Sequence, residues 1–221
     1  MTRILLADDH PLFRLALAQA VSNAAPTAIL TEAGDLEEAR GALVTQPDTD
    51  LALLDLHMPG SHGLMGLAAL RGEFPSVAIA MVSAHDDPTT IRRALAYGAC
   101  GFISKRSSLA ELTRALGVIL ACGEYVPTDL KAAVSAQPAP GDDRRLATRL
   151  ASLSPQQMRV LGLVAEGLLN KQIADRLGVQ ERTVKAHLSA VFERLGVRNR
   201  TQAGVLLRSL ELGDPARVVD M

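Results

Sequence analysis

Arg3-Ile4-Leu5-Leu6-Ala7-Asp8-Asp9 opens the chain with a short apolar run that stops on two carboxylates. The pattern recurs. Leu51-Ala52-Leu53-Leu54 stops on Asp55, and Cys100-Gly101-Phe102-Ile103 is followed closely by Lys105. Runs this short and apolar, bounded by charged or turn-forming residues, read as parallel strands buried on both faces. The carboxyl ends of such strands share one edge of a sheet, and ligands bind in the crevice outside that edge. Three carboxylates and one ammonium therefore converge there. Clustered carboxylates repel one another and call for a cation, and hard oxygen ligands of this kind suit Mg²⁺ together with phosphate. The chemistry this implies is phosphoryl transfer.

Working outward, residues 28–33 and 77–82 read as two further strands, and the stretches between strands carry helix signals. Pro11 suits a first helical position after His10. Asp35 caps 36–45, Asp87-Pro88 starts 88–97 with Gly98 as its stop, and Ser107 or Ser108 caps 109–121. Five strand–helix units of this kind imply an α/β fold, a doubly wound, five-stranded parallel sheet with helices on both faces. Residues 135–147 are rich in Pro, Ala and charge and read as a linker. Beyond them the pattern is all-α. Ser154-Pro155-Gln156-Gln157 is a capping box with Pro at the first helical position. Asn170 caps a second helix with Gly178 as its stop, a third runs over 181–195, and Asn199 caps a fourth.

Net charge is −1 over 221 residues, but the sign is divided. Through residue 130 there are 9 basic and 15 acidic residues; from 131 onward there are 14 and 9. A basic C-terminal part fits a polyanion such as nucleic acid. No uninterrupted apolar run reaches the length of a membrane span, and the first residues lack a signal-sequence pattern, so a cytoplasmic protein without a membrane partner is expected. Cys100 and Cys122 form neither a disulfide framework nor a zinc pattern. His10, His57, His62 and His85 lie near the same sheet edge, but their spacing matches no usual zinc site. Taken alone, Asp8-Asp9 reads equally well as a cap for the helix at Pro11, and Lys105 as a surface charge.

The complete set resembles the receiver domain of response regulators. It comprises Asp8-Asp9, Leu-Leu-Asp-Leu-His-Met-Pro-Gly at 53–60 around Asp55, Ser83-Ala84 after the fourth strand, and Lys105 after the fifth. The resemblance implies that Asp55 is the phosphoacceptor, aided by Lys105. It implies that Asp8, Asp9, Asp55 and the backbone carbonyl of His57 hold Mg²⁺. Ser83 then hydrogen-bonds the transferred group, and Phe102 stands at the position of the family's switch aromatic.

Residues 152–210 resemble a LuxR-type helix-turn-helix domain. The carrying residues include Leu-Ser-Pro-Gln-Gln (153–157), Asn-Lys-Gln-Ile-Ala (170–174), Thr-Val-Lys-Ala-His (183–187) and Arg-Thr-Gln-Ala (200–203). Receiver plus this module is the NarL/FixJ arrangement. Periodicity gives separate support: Val184, Leu188, Val191 and Leu195 fall on one stripe of the third helix. Docked by that stripe, the helix presents Lys185, Ala186 and Ser189 to a major groove, with Arg182 and Thr183 alongside. Lys171, Arg182, Arg194, Arg198 and Arg200 read as phosphate contacts. Gln180 is a poor cap for the third helix.

These readings imply a receiver at 1–122, a linker at 123–149, a four-helix DNA-binding domain at 150–213 and a tail at 214–221. The expected function is a phosphorylation-controlled transcription regulator, not a metabolic enzyme. Its partners are a histidine kinase, double-stranded promoter DNA, RNA polymerase and, once phosphorylated, a second copy. Ala203, Leu206, Leu207 and Leu210 are the expected dimer contacts on DNA, and the first and fifth helices those of the receiver. Three alternatives stay open: a phosphohydrolase of the aspartyl-phosphate type, a ligand-sensing regulator, and a regulator that binds DNA constitutively.

Overall fold

A computed structural model describes residues 1–137 and 141–210 of the chain. Five strands, β1 (Arg3–Ala7), β2 (Ile29–Ala33), β3 (Leu51–Asp55), β4 (Ala78–Ser83) and β5 (Gly101–Ser104), form one sheet. Their order is β2-β1-β3-β4-β5, and every pair is parallel. The chain moves from β1 outward to β2, then returns to place β3 on the other side of β1. This reversal opens a crevice at the carboxyl ends of β1 and β3. Register carries Ala7 beside Leu54, Asp55 beside Val82, and Ser83 beside Ser104. The residues that end these four strands are therefore only slightly stepped along one edge of the sheet.

Because successive strand residues point to opposite faces, one strand feeds two cores. Ile4, Leu6, Leu53, Val82 and Ile103 pack toward α1 (Pro11–Ala24) and α5 (Leu109–Leu120), which lie against each other. Leu5, Leu54, Met81 and Phe102 pack toward the other face, which carries α2 (Leu36–Thr45), α3 (Leu64–Glu73) and α4 (Pro88–Ala96). The predicted caps form. Asp35 accepts from the Glu38 N–H at 2.8 Å, Asp87 from those of Thr89 and Thr90 at 3.0 Å, and Ser108 makes a capping box with Glu111.

Residues expected to be linker are instead partly helical. The short α6 (Lys131–Ser135) is followed by α7 (Gly141–Ala151). Ala147 and Leu150 of α7 are buried, and Leu146 packs against the same core. Composition hid this: Pro, Ala and charge suggested a linker, while Leu146, Ala147 and Leu150 repeat at helical spacing. Asp142 and Asp143 also sit in the first turn, where the helix dipole favours negative charge.

Four helices follow, α8 (Pro155–Ala165), α9 (Asn170–Leu177), α10 (Glu181–Leu195) and α11 (Arg200–Leu210). Ser154 and Gln157 form the expected capping box, and Gln202 N–H donates to Asn199 Oδ1 at 2.9 Å. Asn170 does not cap α9. Leu169 holds that position, and its N–H donates to Gln172 Oε1 at 2.7 Å, so the reciprocal half of a capping box closes this helix. Gly178 and Gly196 end α9 and α10 with left-handed backbone, where glycine carries no β-carbon penalty. The expected tail, 214–221, lies outside the described residues, as do 211–213 of the expected DNA-binding domain.

The two halves share one core. The apolar layer under α3 continues through Leu150 and Leu153 into Val160, Leu161, Val191 and Leu207. The α3 helix packs along α7 and touches α8 and α11.

Candidate functional site

The sheet edge brings the sequence-predicted cluster together. Asp8 follows β1 and Asp55 ends β3, and each is 1% exposed. Lys105 follows β5 and reaches across both: its Nζ lies 2.8 Å from Asp8 Oδ2 and 3.0 Å from Asp55 Oδ2. It also lies over the Phe13 ring, 5.2 Å from the centroid. Burying a carboxylate without a partner is costly, so this ammonium is what makes the pair tolerable. Burial still pushes the Asp55 carboxyl above its ordinary value. Lys105 opposes that rise, the Asp8 charge adds to it, and the His57 N–H, donating to Oδ1 at 3.3 Å, opposes it.

Asp9 is exposed at the mouth. Ligand oxygens of Asp8, Asp9 and Asp55, with a nitrogen of His10, all lie within 4.8 Å of one another. Two buried carboxylates and one exposed one, with a single ammonium between them, fit a hard divalent cation such as Mg²⁺. His10 was given no role from sequence, yet its Nδ1 stands 2.7 Å from Asp9 Oδ1 and 3.2 Å from Asp8 Oδ1. Its backbone N–H also donates to Asp8 Oδ1 at 2.8 Å. Asp8 thus spends an oxygen on the start of α1 without serving as its cap, which is His10.

Ser83 is wholly buried, and its Oγ accepts from the His85 N–H at 3.0 Å. Phe102 is also wholly buried, within the layer facing α3 and α4. A second network went unread in the sequence. Ser104 Oγ donates to Asp86 Oδ2 at 2.6 Å, and Arg106 pairs with the same carboxylate. It ties the loop before α4 to the end of β5. In the sequence Asp86 stands next to the cap Asp87, and nothing in the spacing separates their roles.

In the C-terminal half, Val184, Leu188, Val191 and Leu195 of α10 are buried as the stripe requires. Arg182, Lys185, Ala186 and Ser189 are exposed, and Thr183 is half-buried. Lys185 makes an ion pair with Glu181 one turn earlier, at 2.9 Å. Lys171 and Arg198 are exposed. Two arginines read as phosphate contacts also make bonds within the chain, Arg194 while remaining exposed and Arg200 while half-buried. Arg200 donates to the Leu168 carbonyl and, at 3.4 Å, to Asn170 Oδ1, and Arg194 donates to the Ser152 carbonyl. Both tie helix ends together, a use of guanidinium donors that sequence spacing does not reveal. The expected dimer contacts also need correction for this conformation. Ala203, Leu207 and Leu210 are buried within the chain's own core, and Leu206 is half-buried. The outward apolar residue of α11 is Val205, 57% exposed.

Comparison with known proteins agrees with this geometry. Residues 4–117 match the response regulator receiver domain, and residues 151–207 match the bacterial regulatory proteins of the luxR family. The chain is 41% identical to a glycerol metabolism activator of Pseudomonas putida over 211 residues, covering 92% of this chain and 93% of that one. It is 34% identical to the nitrate/nitrite response regulator protein NarL of Escherichia coli over 202 residues, covering 91% and 93%. Among solved structures, the RcsB response regulator of Salmonella typhimurium shares the fold with a TM-score of 0.55 at 23% identity, covering 94% and 98%.

Proposed function

The chain belongs to the LuxR-family DNA-binding response regulators, and from that premise we propose that phosphorylation of Asp55 by a partner histidine kinase controls its binding to promoter DNA. A carboxylate oxygen of Asp55 attacks the phosphorus of a phosphohistidine. The bond to the kinase imidazole breaks, and an acyl phosphate forms, a known use of carboxylate nucleophiles. Catalysis of such a step is mostly positioning and charge neutralisation. Lys105 supplies one cation from within 3.0 Å of Asp55. Asp8, Asp9, Asp55 and the His57 carbonyl would hold Mg²⁺, which when bound neutralises charge on the phosphoryl oxygens. Ser83 then turns its hydroxyl to a phosphoryl oxygen and gives up the bond it accepts from His85. That change is transmitted through residues 84–87 to α4.

On DNA, α10 enters the major groove. Lys185 hydrogen-bonds a guanine edge, Ala186 meets a thymine methyl group, and Ser189 adds permissive contact. Arg182, Thr183, Lys171 and Arg198 position the helix on the backbone. Two copies read two half-sites. Val205 and Leu206 of α11 make the contact at DNA, and α1 and α5 contribute between receivers, where Leu12 is 83% and Leu15 66% exposed. The protein works in the cytoplasm and engages RNA polymerase at its promoters.

The observation carrying this reading is the bridge from Lys105 to two buried carboxylates, in one chain with an exposed Lys185-Ala186-Ser189 face. One observation favours a second reading: that face is exposed while the two halves are packed on one core, which suits constitutive DNA contact. The test compares wild type and Asp55→Asn, each with and without a phosphodonor, for dimerisation and promoter binding. A gain in wild type alone supports phospho-control. Equal binding in all four samples supports the constitutive reading.

A further inference from the structure

The outward side of α4 is covered by the segment that connects the two halves. Both α6 and α7 pack on it, and Thr89 Oγ1 donates to Gln137 Oε1 at 3.4 Å. At the centre stands Arg93. Its Nε donates to Asp143 Oδ1 of α7 at 3.1 Å, and its Nη1 donates to the carbonyl of Ser209, in the last turn of α11, at 2.7 Å. The Arg93 side chain is 18% exposed and that of Asp143 25%, so the pair is shielded far more than an ordinary surface ion pair. Tyr97, one turn on, is buried against the same layer. A single guanidinium thus binds the helix of the receiver that follows the Ser83 loop to both α7 and α11.

We infer that Arg93 is an internal clamp that holds the DNA-binding half against the receiver and fixes the direction in which α11 presents its exposed Val205, so that two copies do not align through α11 while the clamp is closed. The inference rests on the reading of α11 as a dimer element. Three features single out Arg93. The planar, forked guanidinium serves two acceptors at once, which an ammonium does less well. It reaches a backbone carbonyl of α11, that of Ser209, as well as a carboxylate of α7, so one side chain joins two helices of the other half. Its position on α4 also places the clamp five residues beyond the Asp87 and Pro88 start of the helix. The base-reading face of α10 stays exposed while the clamp is closed. The clamp therefore governs pairing and orientation of the DNA-binding halves, not access to bases.

The test uses the full chain without phosphodonor. Radius of gyration comes from small-angle scattering, and the dimer constant from sedimentation equilibrium. The variants are Arg93→Ala, Arg93→Lys, Asp143→Asn and the double Arg93→Ala/Asp143→Asn. Arg93→Ala is expected to expand the chain and tighten dimerisation about tenfold, within the usual range of coupling between sites. Arg93→Lys and Asp143→Asn move in the same direction by less. The double variant matches Arg93→Ala, because the two residues act through one contact. Thermal melts identify any variant that has lost its fold, and Arg93→Lys then carries the test. If Arg93→Ala stays folded, compact and monomeric like wild type, the clamp is overturned, even where phosphodonor still drives wild type to dimerise. If Arg93→Ala opens and wild type ignores phosphodonor, the clamp stands and phospho-control of Asp55 fails.

Discussion

Gly72 offers a way to open the molecule from a single atom. It is the second-last residue of α3 and faces the end of α7. A β-carbon at this position stands 2.3 Å from the Ala151 carbonyl oxygen, 2.8 Å from its α-carbon and 2.9 Å from its carbonyl carbon. All three are backbone atoms, so no rotamer change relieves the contact. Ordinary contact begins at 3.4 Å, so α7 must withdraw by 1.1 Å, from 2.3 to 3.4 Å. A gap of roughly 0.5–1 Å forfeits about a quarter to a half of a dispersion well, and the loss extends along the α3–α7 face. Overpacking of this kind costs about 1–3 kcal/mol, which shifts the ratio of docked to undocked forms by roughly 5- to 150-fold. Within the receiver the same change acts the other way, since Ala favours a helix over Gly by up to about 1 kcal/mol. Gly72→Ala is therefore expected to increase the radius of gyration while leaving the receiver melting transition unchanged or slightly higher. A variant that scatters like wild type, or that loses receiver stability while remaining docked, would refute the packing argument.

Asp55→Asn is expected to raise the metal-free melting temperature at neutral pH. Burial lifts the folded carboxyl above its unfolded value, so the folded chain holds that proton more tightly. Stability then falls as pH rises from the ordinary carboxylate value through the raised one, and the deficit persists above it. The two proteins should converge in acid, and parallel curves across pH would contradict this. Lys105→Ala leaves Asp8 and Asp55 facing each other in the interior, and removing one side of a buried ion pair costs about 3–5 kcal/mol. Urea unfolding should show a smaller loss in acid than at neutral pH, whereas an equal loss would mean that the ammonium contributes only packing. On DNA, Lys185→Ala should cost about 1–3 kcal/mol at one base pair. Arg198→Ala should weaken all sequences alike and reduce the salt slope by about 1; the opposite assignment of the two effects would reverse their roles.

The receiver was legible because its signals are local. Each buried strand is a continuous apolar run, and Asp8, Asp55, Ser83 and Lys105 mark their ends. The recognition helix was legible for a similar reason: Val184, Leu188, Val191 and Leu195 recur on one stripe and are all buried. What failed depended on long-range partners. Arg200 looks like any exposed cation until the Leu168 carbonyl comes within reach and leaves it half-buried. Leu207 and Leu210 read as a free apolar face because periodicity reports that a face is apolar, not what covers it. The α7 helix was hidden by the composition around it. His10 could not be assigned from spacing alone, since its contact with Asp9 depends on the turn out of β1.

The central claim is that Asp55 accepts a phosphoryl group at a site built by Asp8, Asp9 and Lys105. The most direct measurement is the intact mass of wild type and of Asp55→Asn after incubation with a small-molecule phosphodonor and Mg²⁺. The account predicts the mass of one added phosphoryl group on wild type and none on the variant. No adduct on wild type, or equal labelling of both proteins, would contradict it.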